Sequence, residues 1–423
     1  MNANMSQPAR PFPTENAPNV EEEISQLASL PAVRSALQWF RDQEAEFARW
    51  QMELARIPAP PFGENERAEW VSEQFHALGI KEVSKDRAGN VLGFRRGQQN
   101  SILTISAHID TVFPANTPLN IRQQGTKLYG PGISDNAAGV TALMAVAAAI
   151  ENFSLPHQFS LLFIGNVGEE GEGDLRGMRH IFSDSRWKDA IRSCLVLDGA
   201  GTDTIVAEAL GSRRFEVIVR GPGGHSWSDF GAPNPIVVLG RAIHLFAQTR
   251  VSTSPKSTFN IGVIRGGTSV NSIPESASMR VDIRSSSPEE IDRLDLELRR
   301  AIDQAIQEEE ARTAYKREPL QARSGLMAEM VPIGNRPGGE LAANARAVQV
   351  ARAVDECLGN KAQIQRASTD ANIPISLGRE AIAIGAGGNG GGAHTLQEWF
   401  DPTGRALGLT RILLIALAMA SGG

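Results

Sequence analysis

Cysteine is almost missing: Cys194 and Cys357 are the two in 423 residues. Neither lies in a Cys-x-x-Cys pair or beside a histidine suited to catalysis. A disulfide scaffold is therefore not expected, and both are expected as reduced, buried thiols in a cytoplasmic setting. Basic excess is missing too. Lys and Arg total 42 against 48 Asp and Glu, a net charge of −6, which gives no basic face for a nucleic-acid partner. The longest apolar runs, residues 137–150 and 412–420, fall short of the roughly 18–20 residues that span a bilayer. No membrane partner is expected. Residues 1–20 are polar and rich in proline, lack the apolar core of a secretory leader, and read as a mobile tail.

What is present fits a folded, two-domain protein. Hydrophobic residues make up 41% and charged residues 21%, an ordinary globular balance. The chain is too long for one core. Residues 21–79 carry apolar residues at helical spacing (Val33, Leu37, Phe40; Trp70, Phe75, Leu78), broken by the prolines of 57–63. Buried strands are expected at 101–107, 158–166 and 193–197, with a wholly apolar helix at 137–150. Strands alternating with helices predict an α/β fold with a mostly parallel sheet. From 211 the texture changes. Residues 213–220 and 277–285 alternate polar and apolar, and Ser287 with Glu290 reads as the capping box of a long helix at 288–313. An inserted α+β domain is expected at 211–320, with the catalytic domain formed by 21–210 and 321–423. Residues after 320 read as a loosened connection.

The chemistry gathers where the predicted strands end. SAHIDTVF places His108 and Asp110 after the first buried strand. NVGEEGEGDLRG places Glu169 and Glu170 after the second, and SCLVLDGAG places Asp198 after the third. Open α/β sheets bind their ligands at these ends. Each residue has a bland reading. A lone His-x-Asp is more often structural, adjacent glutamates usually face solvent, and Asp135 in YGPGISDNAAG is an apt helix cap. Together they suggest a metal centre. Asp110 would orient His108 through its far ring nitrogen. One of the paired glutamates would bind metal while the other, its pKa raised by its neighbour, activates water. His394 sits in the glycine-rich GAGGNGGGAHTLQEW, where no Gly-Lys-Ser/Thr follows to make a phosphate loop. Imidazole and carboxylate donors suit zinc, or manganese or cobalt, and a bridging carboxylate suits a pair of metals.

The ordered set HxD, GPGxSD, EE, D, GGHS, NSIP, DxR and a late AHT resembles the family of di-zinc exopeptidases and deacylases that includes peptidase T, glutamate carboxypeptidase, acetylornithine deacetylase and succinyl-diaminopimelate desuccinylase. The resemblance runs from about residue 56 onward. It implies a zinc-exopeptidase catalytic domain with an inserted lid that can form a homodimer. His108, Asp135 and Asp198 resemble the ligands of one Zn(2+). Asp135, Glu170 and His394 resemble those of the second, with Asp135 bridging. Asp110 resembles the orienting carboxylate and Glu169 the general base. His225 resembles the lid histidine that stabilises the oxyanion, and Asn271 and Arg284 the substrate-holding pair, Arg284 on a carboxylate. A cis peptide between Asp135 and Asn136 is also implied. GEEGEGDLRGMRHIF and an aspartate at position 198 lean toward the peptidase T branch. The implied substrates are short peptides cleaved by an aminopeptidase. N-acyl amino acids, or a glutamate-carboxypeptidase-like activity, remain the alternative. The glycine-rich stretch before His394 is expected to give an open, mobile pocket.

Overall fold

The computed structural model describes residues 19–314 and 325–422. The tail expected at 1–20 lies outside these, apart from Asn19 and Val20; the Asn19 side chain caps helix Val20–Ser29. A nine-stranded sheet forms the centre. Strand Gln99–His108 lies at its heart, parallel to Phe159–Asn166 on one side and to Ile191–Leu197 on the other. Glu380–Ile384 follows, parallel to Ile191–Leu197, and Thr204–Ala209 lies beyond it. Antiparallel strands Glu82–Lys85 and Val91–Arg95 close the other edge. The sheet is mostly parallel, as expected.

Helices cover both faces. Pro31–Asp42, Glu44–Ala55, Ala137–Asn152, Arg346–Leu358 and Arg405–Met419 bury Phe40, Phe47, Leu143, Val350 and Leu413 in one core. Arg176–Ser183 and Asn372–Ser376 bury Met178, Ile181 and Ile373 on the opposite face. Helix Ala137–Asn152 is buried from residue 137 to residue 150, which explains its alanines: small side chains let it lie tightly between sheet and neighbouring helices. Helices Arg346–Leu358 and Arg405–Met419 are joined by a buried pair, in which Arg411 Nε donates to Asp355 Oδ1 at 2.6 Å and Nη2 to Oδ2 at 3.0 Å. Cys194 is buried within the sheet, whereas Cys357 is exposed. The expectation of two buried thiols therefore holds for one of them.

A second, wholly antiparallel sheet runs in the order Thr258–Gly266, Ser276–Ser285, Gly211–Arg220, Met327–Arg336. Helices Pro235–Ala247 and Pro288–Ala314 lie against it around Phe215, Val217, Phe246, Val281 and Leu298. The Glu290 N–H donates to Ser287 Oγ at 3.2 Å, as the capping pattern predicts. The boundary expected at 320 lies outside the described residues, and the sheet continues to Arg336. Residues 327–336, expected as a loosened connection, form a strand. Pro332 and Gly334 hide it in the sequence, because they flank a register shift on an edge strand, where a missing N–H is tolerated.

Candidate metal centre

The parallel strands aim their last residues at one spot. His108 ends strand Gln99–His108, Asp198 follows Ile191–Leu197, and Glu169 and Glu170 lie just past Phe159–Asn166. Asp135 reaches the same spot from the turn before helix Ala137–Asn152. Its peptide bond to Asn136 is cis. Asn136, not Asp135, caps the helix, its Oδ1 accepting from Gly139 N at 3.1 Å. The same Oδ1 accepts from Gly199 N at 3.1 Å, and Asn136 Nδ2 donates to Leu197 O at 2.9 Å. The capping role that could have explained Asp135 is thus filled by its neighbour, and the Asp135 carboxylate is free to face the centre.

Asp135 stands between two histidines. His108 Nε2 lies 3.1 Å from its Oδ1 and His394 Nε2 lies 3.1 Å from its Oδ2. On the first side Asp198 Oδ1 is 3.8 Å from His108 Nε2. On the second, Glu170 Oε1 is 3.2 Å from His394 Nε2. His108, Asp135 and Glu170 each offer a ligand atom within 4.8 Å of the others. His394 is held on a left-handed backbone with φ of 65° and is half exposed.

Asp110 lies behind this group, fully buried. His108 Nδ1 is 3.2 Å from the Asp110 carbonyl and 3.6 Å from its carboxylate Oδ1. The carboxylate accepts the N–H groups of Glu169 at 3.0 Å and Glu170 at 2.8 Å, so the side chain that lies beside His108 also anchors the loop that carries both glutamates. Glu169 is buried, and its Oε1 accepts from Arg336 Nη1 at 2.9 Å.

Burial sets the ionisation of the carboxyls. It pushes Glu169 well above the usual range, against the pull of Arg336, and lifts Glu170 to about 7. Burial would likewise raise Asp110 and Asp135, but the hydrogen bonds and charge of His108, joined by His394 at Asp135, hold both low. His108 is pulled down by burial, yet the carboxylates of Asp110, Asp135 and Asp198 beside it leave it well above the ordinary histidine value. His394 rises to about 9, chiefly through its hydrogen bond to Asp135. Two basic imidazoles facing several carboxylates form a donor set that could hold a cation, which would take the place of the histidine protons.

Three participants were not anticipated. Glu398 is buried beneath the Asp135 turn, where Oε1 accepts from Ser134 N and Asp135 N at 2.7 Å each and Oε2 from Gly132 N at 2.8 Å. Asp370 is buried, accepts from Asn166 Nδ2 at 2.6 Å, and is raised by burial to about 7. Arg336 is the third. Each is a single charge whose partners lie far away in the sequence; the signal that could have found Glu398 is its place four residues after His394.

The glycine-rich stretch is pinned at its middle by strand pairing, while residues 392–397 around His394 are exposed. Strand Asn389–Gly391 pairs with Trp399–Asp401, which pairs in turn with Lys127–Tyr129, just before the Asp135 turn. A Cβ at Gly390 would come within 2.3 Å of Ser134 Oγ and 2.8 Å of Ala200 Cβ.

Among the described residues no hydrogen bond joins His225, Asn271 or Arg284 to this group, and those they make lie within the inserted segment. Strand Gly224–His225 pairs with Ser272–Ile273. His225 is exposed, and its Nδ1 accepts from Trp227 N at 3.2 Å and Ser228 N at 3.4 Å. The Asn271 carbonyl accepts from Ser226 N at 2.9 Å. Arg284 Nε donates to Asp282 Oδ2 at 2.6 Å.

The sequence model of Peptidase family M20/M25/M40 matches residues 104–417. Among curated relatives, the chain is 27% identical to uncharacterized protein YgeY of Escherichia coli (strain K12), over 31% of this chain and 34% of that one. It is 24% identical to carboxypeptidase G2 of Pseudomonas sp. (strain RS-16), over 48% of this chain and 49% of that one. The chain thus spans between a third and a half of the length of these two relatives. Its fold is that of aminopeptidase PepT from Bacillus cereus ATCC 10987, with a TM-score of 0.70 at 20% identity, covering 89% of this chain and 99% of that one. The family match takes in every strand end of the centre together with Asp135 and His394, and the chain belongs to peptidase family M20/M25/M40.

Proposed function

We propose that this chain is a two-metal exopeptidase that hydrolyses the amide bonds of short peptides. The observation that carries the reading is Asp135, whose two oxygens each meet a different histidine at 3.1 Å. His108, Asp135 and Asp198 would hold one zinc ion and Asp135, Glu170 and His394 the other, with manganese or cobalt as substitutes. Metals held there would supply Lewis acidity, making the attacking water more acidic and the scissile carbonyl more electrophilic.

The chain's own groups do the rest. Glu169 has one oxygen tied to Arg336, so Oε2 takes the proton from the water and returns it to the leaving amine. His225 accepts at Nδ1, so the neutral ring carries its proton on Nε2 and can donate to the developing oxyanion. Arg284 spends Nε on Asp282 and keeps its two terminal nitrogens for a substrate carboxylate. His225 reaches the centre from a partner subunit in this reading. The loops around it expose Trp227 at 87% and Val270 at 104%, which suits a homodimer through the inserted domain. The exposed thiol of Cys357 suits a cytoplasmic enzyme. The PepT fold supports a tripeptide aminopeptidase, whereas the similarity to carboxypeptidase G2 supports a glutamate-carboxypeptidase-like enzyme or deacylase as the second reading.

Metal content and hydrolysis measured on one preparation test this. The panel holds di- and tripeptides with free or blocked amines, and N-acyl amino acids. About two zinc ions per chain with cleavage of free-amine peptides alone is the expected result. Cleavage of blocked or acylated substrates selects the second reading. A chain that binds no metal after zinc or cobalt is supplied contradicts both.

A further inference from the structure

Arg336 is the last residue of strand Met327–Arg336, at the end of the antiparallel sheet where it pairs with Ser212. Its side chain leaves that sheet and enters the metal centre, where it is 6% exposed. Nη1 donates to Glu169 Oε1 at 2.9 Å and to Ser368 Oγ at 3.2 Å, and Nη2 donates to the Glu169 carbonyl. The guanidinium therefore grips Glu169 by backbone and by carboxylate at once. A tie that served only to hold the loop would need the carbonyl alone. The second bond sets the rotamer of the carboxylate and leaves Oε2 with no hydrogen bond among the described residues. Burying a guanidinium is costly unless its partners are well placed, and here the partner is the carboxylate assigned to move the proton.

The neighbouring contacts point the same way. Arg214 Nη1 donates to Gly171 O at 3.3 Å, Arg280 pairs with Glu172 at 3.2 Å, and Asn335 N donates to Asp174 Oδ1 at 2.9 Å. The inserted sheet thus grasps the 169–174 loop along its length, and Arg336 is the contact that reaches the base.

We infer that Arg336 is a positioning residue for Glu169, through which the inserted domain holds the general base with one oxygen fixed and the other turned to the reacting water. This rests on the reading of Glu169 as the base. A lysine can supply the charge but not the planar fork that binds carbonyl and carboxylate together.

The test is a double-mutant comparison of Glu169→Gln, Arg336→Met, Arg336→Lys and Glu169→Gln with Arg336→Met. It uses whichever of trialanine and N-acetylalanine the wild type hydrolyses, with metal content measured alongside. Arg336→Met is expected to lower kcat by about 10²-fold with KM changed less than about threefold and metal retained. Arg336→Lys should recover part of the loss, and Arg336→Met should cost nothing further once Glu169 is Gln. Wild-type kcat in Arg336→Met, or the same fold-loss in both backgrounds, overturns the inference while leaving Glu169 as the base. Wild-type kcat in Glu169→Gln overturns the assignment of the base itself, and the inference with it. If Met at 336 prevents folding, Arg336→Gln replaces it in the same comparison; a Gln variant as active as the Lys variant overturns the inference.

Discussion

Asp370 illustrates what a single buried charge does here. Its carboxyl meets Asn166 through Oδ2, while Oδ1 is buried with no hydrogen bond among the described residues. Burial lifts its pKa from 3.8 to about 7. A carboxyl raised in the folded state costs nothing at a pH well below 3.8 and progressively more until about pH 7, because the unfolded chain ionises first. Asp370→Asn in chelator-treated protein should therefore stabilise more at pH 8 than at pH 5; urea unfolding at the two values checks this, and an equal gain at both would contradict it. The same residues show what was legible from sequence. His108, Glu169, Glu170 and Asp198 could be singled out because each follows an apolar strand, and the structure brings them together around Asp135 with His394. Glu398, Arg336 and Asp370 could not, since an isolated charge in a sequence looks the same whether it meets solvent or a buried partner.

At the level of elements, the glycine-rich strand Asn389–Gly391 matters for what it lacks. With no Cβ at residue 390, its backbone lies against Ser134 and Ala200, one residue from Asp135 and two from Asp198. Gly390→Ala forces these apart, a crowding that typically costs about 1–3 kcal/mol. The expected result is reduced metal retention on dialysis and a lower Tm; retention equal to wild type would show that the seam can yield without disturbing the centre. Sequence pattern marks this stretch as special without saying how, because glycine serves open turns and close approaches alike. The edge strand Met327–Arg336 was hidden for a related reason: Pro332 and Gly334 read as breakers, yet a register shift accommodates them. The longer elements were legible by other marks: helix Ala137–Asn152 by the length of its apolar run and helix Pro288–Ala314 by the capping pattern at its start.

Across the whole molecule the centre draws on residues 108, 135, 170, 198 and 394, so bound metal would tie together segments far apart in the chain. Ligand that binds only the folded state adds stability, about 2.7 kcal/mol at a hundredfold excess over Kd. EDTA should lower Tm and zinc restore it, whereas Asp135→Ala should show little response to either; thermal scans with and without chelator decide this, and a Tm that ignores chelation while metal is lost would argue against such a tie. The alternation of strands and helices announced the parallel sheet, and alternating residues announced the antiparallel one. The order in which strands lie side by side was not readable, because it is settled by contacts between distant segments. Strand Glu380–Ile384 is the clearest case: it is threaded between Ile191–Leu197 and Thr204–Ala209, two strands that are near neighbours in the sequence. During synthesis the slot between those two must wait for residues made more than a hundred positions later, and His394 emerges later still. A chain made only as far as residue 379 therefore has an open slot there and lacks His394, so the residues of the centre cannot be gathered before those later segments exist.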